Sequence, residues 1–220
     1  MKSTPIISSL LGTSAAMFIG LGANAGFIAD SQFDLFDNGL ANLDITGVDV
    51  SDNGTTLSIA VTTREFSDWT KYLLFFDTAS GGTTSNAWGR PIDIGSNEID
   101  YFVGSWVDQS SDNAQLWSFG SSWNLDQTVS NSVNGSTVTF NFSLASLGLG
   151  AGSTIYFDVA TSGGGGGDGG VDHLSNAGVA MSGWGATSYS GSFISYTTTP
   201  APGVIALAGL AGLLKSRRRR

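Results

Sequence analysis

Strict alternation of apolar and polar side chains through the middle of the chain limits what it can fold into. From Thr55 to Thr63, Leu57, Ile59 and Val61 alternate with Thr56, Ser58, Ala60 and Thr62. Val138, Phe140 and Phe142 alternate with Thr137, Thr139 and Asn141, and Ile155, Phe157 and Val159 with Thr154, Tyr156 and Asp158. A two-residue period puts one set of side chains on each face of a strand, so each segment reads as a strand with one buried face. Tyr72 to Phe76 departs from this pattern: its continuous apolar and aromatic run fits a strand covered on both faces. Further strands are expected over residues 44–50, 99–107, 114–119 and 193–197, and a single helical turn over 144–147. Asp52-Asn53-Gly54 and Asn134-Gly135 fall between apolar runs, where Asn-Gly supplies the positive φ angles of tight hairpins. The expectation is an all-β chain: a single-domain, antiparallel, jelly-roll-like β-sandwich over residues 26–199.

Composition agrees. The chain has 31 glycines and only 12% charged residues, so it is poor in the residues helices favour and rich in those of turns and sheet surfaces. Residues 163–167 are all glycine, followed by Asp168-Gly169-Gly170. This run reads as a mobile loop within the domain rather than a linker, because the thirty or so residues beyond it are too few for a core of their own. Between Gly26 and Thr199 the cations are Arg64, Lys71 and Arg90, against all 18 carboxylates, a difference of −15. Such a surface disfavours a nucleic-acid partner. Cysteine is absent, which removes disulfides, thiolate metal sites and Cys nucleophiles.

The two ends read as targeting segments. Met1-Lys2 opens a short positive region, an apolar stretch follows from Ile6 to Gly22, and Ala23-Asn24-Ala25 supplies an A-x-A cleavage site. A signal helix over 1–25, cut after Ala25, is expected. At the other end, over 200–220, Pro200-Ala201-Pro202-Gly203 precedes an apolar run from Val204 to Leu214, then Lys215, Ser216 and four arginines. That short apolar helix falls below the roughly 20 residues needed to span a bilayer unaided, and its terminal arginines suit retention on the cytoplasmic side. The order of elements resembles the PEP-CTERM sorting signal, with Ala201 where the family usually has glutamate. The resemblance implies export to the cell envelope or beyond, transient membrane association through the tail, and processing by an exosortase-type sorting protease.

Few residues suggest catalysis. His173 is the sole histidine, which excludes multi-histidine zinc sites and the two-histidine facial triad. Composition permits a Ser-His-Asp triad, but no Gly-x-Ser-x-Gly elbow marks a nucleophile. Glu98-Ile99-Asp100 is an acid-x-acid pair that could serve a carbohydrate-active enzyme. Asp158, Asp168 and Asp172 gather around the glycine loop as candidate ligands for Ca²⁺. The aromatics are more suggestive. Alternation over residues 99–108 places Asp100, Phe102, Trp106 and Asp108 on one face, with Ile99, Tyr101, Val103 and Val107 on the other. Trp117, with Gln115 and Phe119, repeats the arrangement on the next strand. Trp88 and Arg90 adjoin at a turn, and Trp123 and Trp184 fall in loop-like segments. Tryptophan faces beside polar groups suit sugars, so Trp88, Arg90, Asp100, Trp106, Trp117 and Trp184 are the candidate ligand-binding residues.

The segments beginning at Tyr72, Trp88, Phe102, Ala114 and Phe157, the last running through the glycine loop to Asn176, together resemble the β-sandwich domains related to family-nine carbohydrate-binding modules and the C-terminal glucodextranase-type domain. The likeness spans most of residues 40–198 and implies a sandwich fold. The functional expectation is a noncatalytic module, displayed in the envelope or matrix, with polysaccharide as ligand. The alternatives are a purely structural matrix protein and a carbohydrate-active enzyme using Glu98 and Asp100.

Overall fold

The computed structural model describes residues 24–108 and 114–200, with side chains from residue 26 onward. The expected signal helix, Ala23, and the tail from Ala201 through Pro202 and Gly203 to Arg220 lie outside these residues. In chain order the strands are β1 (Asn24–Ala29), β2 (Ile45–Asp52), β3 (Thr56–Thr63), β4 (Lys71–Asp77), β5 (Ile92–Asp93), β6 (Tyr101–Trp106) and β7 (Ala114–Phe119). There follow β8 (Trp123–Val129), β9 (Asn131–Asn134), β10 (Thr137–Ser143), β11 (Thr154–Ser162), β12 (Asp172–His173), β13 (Ser188–Tyr189) and β14 (Ile194–Thr197). Leu144–Leu147 forms the expected helical turn, of 3₁₀ type.

Two antiparallel sheets make a β-sandwich. The first has the order β1-β2-β3-β10-β9, and the second β12-β11-β4-β6-β7-β8, with β14 pairing the same side of β11 as β12. The hairpin glycines adopt the positive φ that their turns require, 84° at Gly54 and 61° at Gly135. The alternating sets meet between the sheets: Val48, Val50, Leu57, Ile59, Val61, Val138, Phe140 and Phe142 face Tyr72, Leu74, Phe76, Leu116, Ile155, Phe157 and Val159. Tyr72 packs against Phe140 with ring centroids 5.9 Å apart, and Phe76 against Phe142 at 5.6 Å.

β4 shows why a third layer exists. All five residues from Tyr72 to Phe76 are fully buried, so Leu73 and Phe75, which point away from the first sheet, need their own cover. It comes from the segment after β4, which brings Ile92, Ile94 and Ile99 onto Leu73, Phe75, Phe102 and Ala160, and from the segment after β11, which adds Phe193. A parallel pairing of β5 with β13 joins these segments. This layer corrects one expected register. Ile99 was placed with Tyr101 and Val103, but it packs with Phe102 on the opposite face, because it precedes β6 and is held in a bridge to Thr83.

The glycine run stays within this layer, and β14 returns to the second sheet beyond it. Its expected mobility is opposed by Arg90, whose Nη1 donates to the carbonyls of Gly165 and Asp168, both at 3.0 Å, and to Ser162 Oγ at 2.7 Å. β1, β8 and β9 and the two-residue strands β5, β12 and β13 were not expected. In β8, an irregularity opposite Leu116–Trp117 breaks the alternation that would have revealed it.

Replacing Phe76 by Ala should cost about 3–5 kcal/mol in urea denaturation, the range for a buried aromatic. Val179→Ala, at a side chain 55% exposed, should stay within about 0.5 kcal/mol.

Candidate functional site

The covering layer lies over β11 and β4, and the outer face of the second sheet continues past it onto β6, β7 and β8. Cross-strand pairing sets Phe102 beside Trp117 and Trp117 beside Leu125, with Phe119 beside Trp123. Aromatic contacts run along this row: Phe75 to Phe102 at 5.5 Å, Phe102 to Trp123 at 6.3 Å, and Trp123 to Phe119 at 5.3 Å. The inner end is closed by His173, whose ring stacks on Phe75. At the outer end Trp117, Phe119 and Trp123 are half-buried and Leu125 is 50% exposed.

Trp88 completes the surface from the covering layer. Its turn is fixed by the Asn86 side chain, which bridges the backbone N–H and C=O of Arg90. The indole then lies across Gly104 in the middle of β6, where any Cβ would overlap the ring. It meets Trp106 at 5.4 Å and Phe102 at 5.7 Å, and its Nε1 donates to Gln115 Oε1 at 3.4 Å. Nε1 of Trp106, Trp117 and Trp123 is shielded and has no acceptor among the described residues, so these rings offer a ligand carbon faces rather than donors. On this face Gln115 and Thr128 are paired across β7 and β8, with Thr128 exposed, whereas Ser118, paired with Tyr101, and Gln127, paired with Leu116, alternate to the opposite face.

Of the six candidate ligand-binding residues, the structure thus gathers Trp88, Trp106 and Trp117, and it adds Trp123, which begins β8 rather than lying in a loop. Arg90 stands 5.4 Å from the Trp88 ring, but it is buried and holds the glycine loop, and desolvation lowers its pKa. Asp100 is half-buried and occupied by a turn: its Oδ2 accepts from the N–H groups of Thr78 and Ala79 and from the Thr78 hydroxyl. Trp184 is 49% exposed but sits apart, edge-on to Phe36. With Asp100 committed to a turn, Glu98 instead shares a groove of about 370 Å³ with Asp77 and Tyr156. Burial raises the Asp77 pKa, reinforced by Asp100 and Glu98.

The three acids expected to share a calcium ion do not converge. Asp168 accepts from the Gly165 N–H, and Asp158 Oδ2 lies 2.7 Å from His173 Nδ1. Asp172 turns toward Asp34 and Asp44, residues distant in sequence. Asp158, His173 and Ser188 do form an Asp-His-Ser chain, with Nε2 3.2 Å from Ser188 Oγ. All three are 0% exposed, and Ser188 Oγ also accepts the Gly170 N–H, so in this arrangement no substrate reaches the hydroxyl. The chain instead ties β11, β12 and β13 together.

The protein matches no protein-family model and no curated protein. Among the described residues no helix is long and apolar enough to cross a membrane.

Asp158→Ala should cost about 3 kcal/mol or more in urea denaturation, because it strands the buried His173 ring and the Ser175 N–H that Asp158 accepts. Ser188→Ala should cost less, about 1–2 kcal/mol.

Proposed function

We propose that the chain is an exported, noncatalytic polysaccharide-binding module whose ligand lies along the outer face of β6, β7 and β8. The carrying observation is the convergence of Trp88, Trp106, Trp117 and Trp123 on one sheet face, away from the core between the sheets. Indole faces pack on the apolar C–H surface of a pyranose, and bordering amides, hydroxyls and carboxylates bond to its hydroxyls. A polymer suits this surface because, among the described residues, the aromatic row runs out to the edge strand β8 without an enclosing wall.

The two ends of the sequence support display in the envelope or extracellular matrix. The A-x-A site would release the leader, and the proline-rich tail with its apolar helix and arginines would hold the chain at the membrane until a sorting protease processed it. Ala25 pairs with Ser51 in β1, so cleavage after it leaves Gly26–Ala29 still paired with β2. A purely structural matrix protein is the second reading, favoured by the shielding of three indole Nε1 atoms.

Affinity electrophoresis of the full chain through gels containing soluble glucans, xylans or mannans separates the two. Retardation by at least one polymer is expected, with binding about tenfold weaker in Trp117→Ala and in Gly104→Val, which displaces Trp88. Trp184→Ala should behave like the unaltered chain. Unchanged mobility in every gel would remove the polysaccharide reading and leave the structural one.

A further inference from the structure

The geometry points to a calcium-binding site, separate from the aromatic face, formed by Asp34, Asp44 and Asp172 with Asp30 beside them. One carboxylate oxygen from each of Asp34, Asp44 and Asp172 lies within 4.8 Å of the others. The elements that bring them together are the segment after β1, the residue before β2, and β12, so the site joins the start of the domain to the edge of the second sheet.

The second observation is desolvation without compensation. Asp44 is 0% exposed, and its Oδ2 accepts from Arg64 Nε and the Phe33 N–H, while its Oδ1 has no donor among the described residues. Both oxygens of Asp34, and Oδ2 of Asp30, are also buried without a donor. A shielded carboxylate oxygen lacking a donor is costly, and a bound cation offsets that cost. Arg64 is engaged on the Asp44 edge and supplies only one positive charge.

The donor set selects the ion. All the ligands are hard oxygens, without imidazole or thiolate, which favours Ca²⁺ or Mg²⁺ over zinc or copper. Calcium binds oxygen at about 2.3–2.6 Å, so ligands on opposite sides of the ion stand roughly 4.6–5.2 Å apart, and it tolerates irregular geometry. Magnesium demands a tighter octahedron and retains several waters, which suits a protein-lined cluster less well. Asp172 was among the sequence candidates for calcium, but its partners come from the N-terminal third of the chain rather than from the glycine loop.

The test uses the full chain, stripped with chelator, dialysed, and titrated with CaCl₂ or MgCl₂ alone by calorimetry and thermal unfolding. A dissociation constant at or below about 1 mM is expected for Ca²⁺. At a tenfold excess over that constant, Tm should rise by about 3 °C or more. Asp34→Asn sacrifices no hydrogen bond, so the metal-free variant should unfold within a few degrees of the parent while its Ca²⁺ affinity falls at least tenfold. Glu98→Gln, an exposed acid elsewhere, should retain the full response. Absence of heat and of any Tm change up to 10 mM Ca²⁺ would overturn the proposal, as would an equal response in Asp34→Asn. Equal responses to Mg²⁺ and Ca²⁺ would overturn the choice of ion.

Discussion

The five side chains from Tyr72 to Phe76 have to be hidden on both faces of one strand, and the rest of the architecture follows from that demand. One face is met by the first sheet through Phe140 and Phe142. The other has no sheet to meet it, so loops do the covering, pinned by the β5–β13 pairing and by polar links to β11. Loops can bury apolar surface only if their own backbone groups find partners. That is the task of Arg90, Asn86, Ser162 and the Asp158-His173-Ser188 chain.

This arrangement explains where the candidate site lies. The cover extends over β11 and β4, and Trp88 is the part of it that reaches furthest across β6. Beyond Trp88 the sheet face continues with large aromatic side chains, and among the described residues the loops that bury Phe75 and Leu73 do not extend over it. The aromatic row is thus continuous from the stacked His173 ring to exposed Leu125, with one end serving the fold and the other free to meet a ligand. The body's few cations are used in the same economical way. Arg64 and Arg90 are both turned to internal acceptors, while Lys71 sits 3.8 Å from Asp108.

Much of the fold was legible in the sequence because alternation is a local signal. β3, β10 and β11 fall where Leu57–Val61, Val138–Phe142 and Ile155–Val159 alternate, and the unbroken run in β4 announced burial on two sides. β8 was illegible because its register shifts and its edge position leaves all of Asn124 to Thr128 exposed, polar but for Leu125. The site was legible in part. Trp106 and Trp117 could be placed by counting along strands, but Trp123 depended on recognising β8. Arg90 reads in the sequence as a ligand-binding candidate at a turn, because the loop partners that claim it lie more than seventy positions away. The acidic cluster left no trace in spacing at all, since Asp44 and Asp172 meet only through tertiary folding.

Hydrogen exchange of the backbone amides measures the central constraint most directly. With β4 enclosed on both faces and flanked by β11 and β6, its amides should exchange only on global unfolding, orders of magnitude slower than those of edge strand β8. Comparable protection in β4 and β8, or early exchange in β4, would contradict the account of a twice-covered strand from which the open aromatic face was derived.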